Sequence, residues 1–221
     1  MRVLIFDTET TGLGNPSGAV EIAFIEIDHE LSILDARSGL VNPGIPIEPG
    51  AQAIHGIDAS ELQDKPSPEE WMLANWPQDE PVVGIGHNCS FDLRMIGQYI
   101  PLLGGQLCTL ALARRFISDS KNHKLGTLAA HLQLQTGDAH RAAGDVVTTL
   151  SLLRHLLDVS GRTLEQAIAA NHKPGILQTM PFGKFKGRPC SQVPQGYWHW
   201  LAGLPDLPPD LRLTVRQFKD V

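Results

Sequence analysis

Two acidic residues near the N-terminus lie where a strand could place them side by side. Asp7 and Glu9 follow the apolar run Val3–Phe6 and are two residues apart, so in an extended strand they share one face. Two carboxylates on one face repel each other unless a cation lies between them, and Mg²⁺ and Mn²⁺ prefer oxygen ligands. The pair predicts a divalent-metal site, with a solvated surface turn as the alternative.

Two further acids occur where helices are predicted to begin. Asp92 ends the sequence H-N-C-S-F-D after an apolar run, and Asp145 lies at the start of the clearest helical pattern, 142–157. An acid in a first turn also favours the helix dipole, by up to ~1 kcal/mol, so each position alone has a purely structural explanation. His140, just before that helix, could likewise be a surface or capping residue.

Taken in order along the chain, these residues indicate a shared chemistry. Four carboxylates at strand ends and helix starts can hold two divalent ions, which together clamp the attacking and leaving oxygens of a phosphoryl displacement. A histidine that titrates near neutral pH can accept the proton of an attacking water. The combination predicts metal-assisted phosphodiester hydrolysis.

The apolar pattern predicts the α/β architecture that would position these side chains. Strands followed by alternating strands and helices indicate a sheet covered by helices. The predicted strands are 3–6, 20–28, 31–41, 81–86 and 107–109, and a Pro- and Gly-rich loop is predicted at 42–56. Helices are expected after Asp58 and Ser67, from a Ser90 cap to about Tyr99, and at 109–115, 125–132 and 142–157.

Composition excludes several classes of protein. The 221 residues are 42% apolar, 19% charged and 6% aromatic, which is ordinary globular composition. No run of ~18 apolar residues occurs, so no transmembrane helix is predicted, and the N-terminus turns polar too early for a signal peptide. Three cysteines without a C-x-x-C pattern are expected to be free thiols, and a cytoplasmic location is expected.

Charge is unevenly distributed between two expected domains, 1–160 and 161–221. Residues 1–170 carry 11 Lys+Arg and 21 Asp+Glu, a net −10, whereas residues 171–221 carry 7 and 3, a net +4. This pattern is typical of a metal-using body joined to a phosphate-attracting segment, or of chance asymmetry in an acidic protein. The C-terminal part begins with a capping box at Thr163 and Gln166, and a Lys-Pro-Gly sequence at 173–175 is expected to interrupt its secondary structure. After it, the sequence predicts a turn at 182–187 and helices at 197–201 and from Pro208.

Five motifs in order resemble those of the DEDDh 3′→5′ exonucleases. They are F-D-T-E-T-T-G-L at 6–13, E-I-A at 21–23, A-I-H-G at 53–56, H-N-x-x-F-D at 87–92 and H-x-x-x-x-D at 140–145. The similarity spans about residues 1–158 and implies a ribonuclease H-like mixed sheet covered by helices. The F-G-K-x-x-G, Y-x-x-W-L and L-R-L-T motifs of the C-terminal segment resemble those of a stand-alone bacterial DNA exonuclease of this family, and imply a small α/β appendage.

The resemblance implies a role for each matching residue. Asp7 bridges two Mg²⁺ or Mn²⁺ ions, Glu9 and Asp145 hold the ion on the water side, Asp92 holds the other directly or through water, and His140 is the general base. Gly12 and Leu13 approach the 3′-terminal nucleotide. His55 lines that nucleotide pocket or makes a structural hydrogen bond, and Phe91 contacts substrate or is plain core.

Basic residues of the C-terminal segment are candidates for contact with nucleic acid. Lys184, Lys186 and Arg188 are interleaved with aromatic residues, a combination that can track phosphates and stack unpaired bases. We expect Phe182 and Trp200 to pack inside a small core of their own. A second cluster, Arg114, Arg115, Lys121 and Lys124, could flank a nucleic-acid groove or be a solvated helix end.

The expected activity is a metal-dependent 3′→5′ exonuclease that releases nucleoside 5′-monophosphates from single-stranded or duplex DNA in repair. An RNA 3′-end-trimming exonuclease remains open, because the catalytic motifs act on phosphates and do not detect the 2′-OH. A proofreading subunit that acts with a DNA polymerase also remains open. The complete set of five site residues disfavours a catalytically inactive binding module, and no membrane partner is expected.

Overall fold

A computed structural model describes residues 2–100, 103–171, 176–204, 207 and 209–219. Its centre is one five-stranded sheet of order β3-β2-β1-β4-β5. The mixed sheet is the one that the family resemblance implies, and the order of its strands comes from the structure. β1 pairs antiparallel with β2 and parallel with β4, and β5 extends the parallel side. The strands are β1 Arg2–Thr10, β2 Ala19–Ile27, β3 Ile33–Leu40, β4 Val82–Gly86 and β5 Leu103–Cys108.

Helices cover both faces of this sheet. The described helices are α1 Pro49–His55, α2 Pro68–Asn75, α3 Cys89–Ile96, α4 Thr109–Phe116, α5 Leu125–His131, α6 Ala142–Ser160, α7 Leu164–Asn171, α8 Gln195–Ala202 and α9 Pro209–Lys219, with 3₁₀ turns at Ala59–Leu62, Gly97–Tyr99 and Cys190–Gln192. The last two, α8 and α9, pack apart from the sheet. Among the described helices, none is both long enough and apolar enough to cross a membrane.

The central strand is longer than the sequence suggests, and this changes where the first acids lie. β1 continues to Thr10, so Asp7 and Glu9 belong to the strand rather than to a turn after it. Val3 and Ile5, on the same face of β1, pack with α6 in one buried cluster. The alternate face, with Leu4 and Phe6, packs in a second cluster with residues of α2 and α3. Asp7 and Glu9 are therefore on the α6 side of the sheet.

Two local predictions differ from the structure, and a third is confirmed. The loop predicted at 42–56 contains α1, which begins with Pro49 in its first turn. α3 begins at Cys89 and not after Ser90; its N-cap is Asn88, whose φ of 77° is left-handed. The capping boxes at Asp58 and Ser67 are both formed as predicted.

The expected domain division at residue 160 stays a prediction, but the packing of α7 bears on it. Leu164 and Ala167 of α7 are buried in the same cluster as α6 and β1. The capping box that starts this helix is present, with Gln166 N–H donating to Thr163 Oγ1 at 3.3 Å. We therefore propose that the body extends through α7.

The segment after α7 has a core of its own. Leu177, Met180, Trp198, Leu211 and Val215 are buried together, mostly between α8 and α9. The turn predicted at 182–187 is present, and the β contribution among the described residues of this segment is one isolated bridge between Thr179 and Pro189. The predicted break at 173–175 lies outside the described residues.

An ion pair joins this C-terminal segment to the body. Arg115 of α4 donates to Asp210 of α9 at 2.6 Å, and both side chains are largely buried. Nearby, the backbone N–H of Gln178 donates to the carbonyl of Arg114 at 3.2 Å. The end of α4 is thus the attachment point of the C-terminal segment, and Arg115 is not a solvated helix end.

We expect Arg115→Met to lower the free energy of unfolding by about 3 kcal/mol, because it removes one partner of a largely buried charge pair. Urea unfolding followed by tryptophan fluorescence measures this. A cycle with Asp210→Asn should show coupling of the two substitutions; strictly additive effects would contradict the pairing.

Candidate active site

Three of the predicted acids converge at the end of β1. One carboxylate oxygen from each of Asp7, Glu9 and Asp145 lies within 4.8 Å of the others. The first two come from β1, and the third comes from the first turn of α6, which crosses the same face. An all-carboxylate set at this spacing suits a hard divalent cation.

The fourth acid, Asp92, is adjacent but is not one of the three. It is only 3% exposed, and its Oδ1 accepts hydrogen bonds from the Thr8 backbone N–H at 3.0 Å and the Thr8 hydroxyl at 2.8 Å. These bonds tie the first turn of α3 to the middle of the acidic stretch of β1. Asp92 still acts on the site, because its charge raises the pKa of Asp7.

Burial raises the pKa of every acid in this group, and repulsion among its members adds to the rise at Asp7 and Glu9. Burial is the largest cause in each case: it raises the pKa of Asp7 well above its ordinary value and the pKa of Glu9 and of Asp92 to about 7. The neighbouring charge of Asp145 adds to the rise at Asp7 and Glu9. Without a counter-ion the charged cluster is unfavourable, and this supports a cation site rather than a solvated surface turn.

His140 lies beside the acidic cluster with an exposed side chain. Its backbone is left-handed, with φ of 59°. Burial raises the pKa of Asp145, and the charge and backbone N–H of His140 oppose that rise. His140 is therefore next to Asp145 and open to solvent, as a group that exchanges protons with water must be.

A buried ion pair that the sequence analysis did not predict positions the start of α6. Glu21 of β2 is 4% exposed and directly opposite Glu9 in the sheet register. Its carboxylate accepts two hydrogen bonds from the Arg141 guanidinium, at 2.9 and 3.0 Å, and one from the Ala142 N–H at 2.9 Å. The positive charge of Arg141 opposes the rise in the pKa of Glu9, and the Glu21 carboxylate fixes the backbone between His140 and Asp145. The motif E-I-A marked Glu21, but only the fold reveals its partner.

A close backbone approach also constrains this turn. A Cβ placed on Gly144 would lie 1.9 Å from the carbonyl oxygen of Asp138, and one on Gly137 would lie 2.5 Å from Gly144. Only glycine permits this contact, which folds the segment before α6 back onto its first turn.

A cavity of about 410 Å³ opens beside the acids and brings together the four substrate-contact candidates of the body. Its lining includes Glu9 together with Gly12, Leu13, His55 and Phe91. Leu13 is 84% exposed at the rim of this cavity, so its side chain is free to contact a bound molecule. The guanidinium of Arg94 lies 5.3 Å from the centre of the Phe91 ring.

His55 combines the two alternatives considered for it. Its Nδ1 accepts a hydrogen bond from the Ile57 N–H at 3.0 Å, which is a structural role. The ring is buried, yet it lines the cavity. Burial lowers its pKa, so the ring is neutral and its proton is on Nε2.

The C-terminal candidates lie outside this cavity. Lys184 and Arg188 are exposed and flank the Phe185 ring, at 5.7 and 5.3 Å from its centre. Lys186 lines a second cavity between the body and the C-terminal segment.

The expectation that Phe182 and Trp200 are core residues is wrong. They are 38% and 54% exposed, and the buried tryptophan is Trp198, whose ring stacks on Phe218 at 5.2 Å. Trp198 and Trp200 are two residues apart and so point about 200° apart around α8, and only Trp198 faces the core with α9.

Comparison with known proteins gives two family matches. The sequence model of the RNase_T family, described as "Exonuclease", matches residues 4–153. A second, described as "Putative quorum-sensing-regulated virulence factor", matches residues 174–208. The first spans the sheet and the acidic cluster, and the second lies within the C-terminal segment.

Individual relatives agree with the first match. Exodeoxyribonuclease 10 of Escherichia coli (strain K12) is 35% identical over 97% of both chains. A PolC-type DNA polymerase III of Caldanaerobacter subterraneus is 34% identical over 70% of this chain but only 11% of its own length. A solved structure of exonuclease X in complex with 5′ overhanging duplex DNA is 34% identical, has a TM-score of 0.64, and matches 76% of this chain and 99% of its own.

We expect Mg²⁺ to stabilise the protein through the acidic cluster. At a concentration about 100 times its dissociation constant, Mg²⁺ should raise the free energy of unfolding by about 2.7 kcal/mol. Asp7→Asn should abolish this rise and should be more stable than the unsubstituted protein in EDTA, because it removes one repelling charge. Thermal unfolding with and without Mg²⁺ measures both effects, and Asp64→Asn, an exposed acid elsewhere, is the control.

The same cluster predicts a pH dependence in EDTA. The pKa of Glu9 and of Asp92 is about 7 in the folded protein, above the ~4 of an unfolded chain. The folded state therefore binds more protons between these values, so the free energy of unfolding should fall as pH rises from ~4 to ~7. If the free energy of unfolding does not change with pH, and Asp7→Asn leaves that result unchanged, the proposed repulsion among the acids is contradicted.

We expect Glu21→Ala to loosen the turn that carries His140 and Asp145. It leaves the Ala142 N–H without its acceptor and should cost about 2 kcal/mol of stability. Amide hydrogen exchange across 138–146 should accelerate. Arg141→Ala leaves the Ala142 N–H bonded to Glu21, so it should accelerate exchange across 138–146 less than Glu21→Ala does. Equal effects of the two substitutions would exclude Glu21 as the positioning residue.

Proposed function

Because the chain belongs to the exonuclease family whose sequence model spans residues 4–153, we propose that it is a metal-dependent 3′→5′ exonuclease of DNA. The observation that carries the proposal is the convergence of Asp7, Glu9 and Asp145 beside the exposed His140, at one side of a cavity with an exposed apolar rim. This is the arrangement that hydrolysis of a terminal phosphodiester requires: acids, a base and a place for one nucleotide.

The proposed cofactors are two divalent ions, Mg²⁺ or Mn²⁺. Asp7, Glu9 and Asp145 would hold one, and Asp7 with Asp92, directly or through water, would hold the other. The raised pKa values of these acids and their oxygen-only donor set support the fit. Bound there, such ions would neutralise charge on the phosphate and favour deprotonation of water.

The remaining residues of the site have distinct proposed roles. His140 takes the proton of the attacking water, since its ring is exposed and adjacent to Asp145. Leu13 and Phe91 contact the base of the 3′-terminal nucleotide, and Gly12, whose missing side chain leaves room for the Glu48 carboxylate, lines the pocket beside them. His55, neutral and buried, lines the same pocket and holds its wall in place.

DNA is the proposed substrate, because the relative that matches the whole length of this chain, including its C-terminal segment, is named an exodeoxyribonuclease. The solved structure at 34% identity also holds duplex DNA. We propose release of nucleoside 5′-monophosphates from single-stranded or duplex 3′ ends, in DNA repair and in the cytoplasm. The free thiols of Cys89, Cys108 and Cys190 suit that reducing compartment.

Two alternatives rest on specific comparisons or on chemistry. The PolC-type relative supports a proofreading role with a polymerase, although the match spans only 11% of that protein. RNA trimming stays open because the acidic cluster acts on phosphates. The exposed Lys184, Lys186 and Arg188 are proposed contacts to the nucleic-acid backbone in each case.

We expect 5′-labelled DNA to shorten from its 3′ end in Mg²⁺. Asp145→Asn should abolish the reaction, and His140→Ala should slow it by about 10²–10⁴-fold, because a general base contributes this much. Gel analysis of matched single and duplex DNA and RNA strands measures the activity and the preference.

Asp64→Asn is the control for nonspecific effects of losing an acid. Degradation of RNA alone would replace the proposed substrate, and full activity of Asp145→Asn would contradict the site. A requirement for an added polymerase would favour the proofreading alternative.

A further inference from the structure

A second cavity, of about 560 Å³, lies where the C-terminal segment meets the body. Four cationic side chains line it: Arg114, Lys121, Lys124 and Lys186. Among the described residues that form its wall, none is acidic. In a chain with a net charge of −6 such a surface is exceptional, and it attracts anions. We refer to it as the basic groove.

The groove exists only because the two parts of the chain are joined. Arg114, at the end of α4, and Lys121 and Lys124, in the loop before α5, belong to the body. Met180 and Lys186 of the C-terminal segment form the opposite side. The Arg115–Asp210 ion pair and the Gln178–Arg114 backbone bond hold the sides together. Neither part alone would present the full set of cations.

Hydrogen bonds pre-organise the body side of the groove. The Lys124 backbone N–H donates to Asn122 Oδ1 at 2.9 Å, and the Ser120 hydroxyl donates to the Asn122 carbonyl at 2.8 Å. His87 Nε2 lies 2.8 Å from the His123 carbonyl and anchors this loop to the end of β4. A loop fixed in this way can hold its lysines toward a ligand at a low entropic cost.

The segment at the start of α3 contributes residues to both the basic groove and the cavity beside the acids. His87 and Asn88 line the groove, and Phe91, three residues after Asn88, lines the cavity beside the acids. The first turn of α3 separates the two spaces. A strand whose 3′-terminal nucleotide contacts Phe91 therefore reaches the groove by passing Asn88.

We propose that the basic groove binds backbone phosphates of the substrate strand, upstream of the nucleotide that is cleaved. This inference rests on the proposed function and assigns the C-terminal segment its part in it. Four cations exceed the need of a single phosphate, whereas a polynucleotide offers one phosphate after another. The groove wall also includes the apolar Leu110, Leu125 and Pro181, against which sugars and bases can pack.

The test compares the double variant Lys124→Ala/Lys186→Ala with the control Lys65→Ala/Arg216→Ala. The control cations are exposed, and neither lines one of the two cavities. Substrates are a 5′-labelled DNA strand of about 20 nucleotides, long enough to fill a typical single-strand site, and a dinucleotide that cannot reach the groove. All proteins are full-length.

We expect the groove variant to raise KM for the long strand about tenfold relative to its KM for the dinucleotide, as the loss of two phosphate contacts implies. Fluorescence anisotropy measures the association constant for the long strand at several salt concentrations. The slope of its logarithm against the logarithm of the salt concentration should become shallower by ~0.7 for each lost lysine. The control variant should keep the KM ratio and the salt slope of the unsubstituted protein.

An equal change in KM for both substrates, or an unchanged salt slope, would overturn the proposal. The anisotropy measurement does not require turnover, so failure of the proposed function is distinguishable. A protein that binds the long strand through the groove but hydrolyses neither substrate contradicts only the exonuclease assignment.

Discussion

Repulsion among carboxylates at the end of β1 is the constraint on which the rest of the site depends. Asp7, Glu9 and Asp145 converge within 4.8 Å, with Asp92 beside them, and burial raises the pKa of each. Such a cluster persists in a folded protein only if the surrounding structure fixes every member of it, since each acid would otherwise turn toward water. The fold provides one restraint for each. The long central strand fixes the first pair, Thr8 fixes Asp92, and Glu21 with Arg141 fixes the turn before Asp145.

The mixed order of the sheet explains how distant segments reach one edge. β1 is central, and its parallel partner β4 ends beside it, so that α3 begins next to the acids. Its antiparallel partner β2 places Glu21 opposite Glu9, where it can receive Arg141. An all-antiparallel meander would carry the helix starts to the opposite end of the strand. The parallel half of the sheet thus places Asp92 beside the cluster, and the antiparallel half places Glu21, which positions the turn before Asp145.

Sequence reasoning succeeded where the determinant is local. The i, i+2 spacing of Asp7 and Glu9 and the capping boxes at Asp58 and Ser67 depend on neighbours within a few residues. It failed where the determinant is a contact across the fold. Glu21 and Arg141 are 120 residues apart in the sequence, and no hydrophobic periodicity predicts that they pair. The exposure of Phe182 and Trp200 depends on which sides of the 182–187 turn and of α8 pack against the core of the C-terminal segment, which composition does not specify. α3 begins earlier than predicted because its N-cap is Asn88, which has a left-handed backbone, and not Ser90. The end of β4, and not the Ser90 side chain, determines where this helix starts.

An acidic catalytic cluster that acts on a polyanion needs positive charge elsewhere in the molecule. The body has a net charge of −10 over residues 1–170, so nucleic acid would be repelled from the surface that carries the chemistry. Divalent ions offset this charge only at the reacting phosphate, because their field is screened within about a Debye length of ~8 Å. The phosphates upstream of the reacting phosphate require positive charge from another part of the protein. The basic groove lies one helical turn from the acids and draws its cations from both parts of the chain. The ion pair between Arg115 and Asp210 therefore does more than hold two units together, since it completes the surface that offsets the cost of the acidic centre.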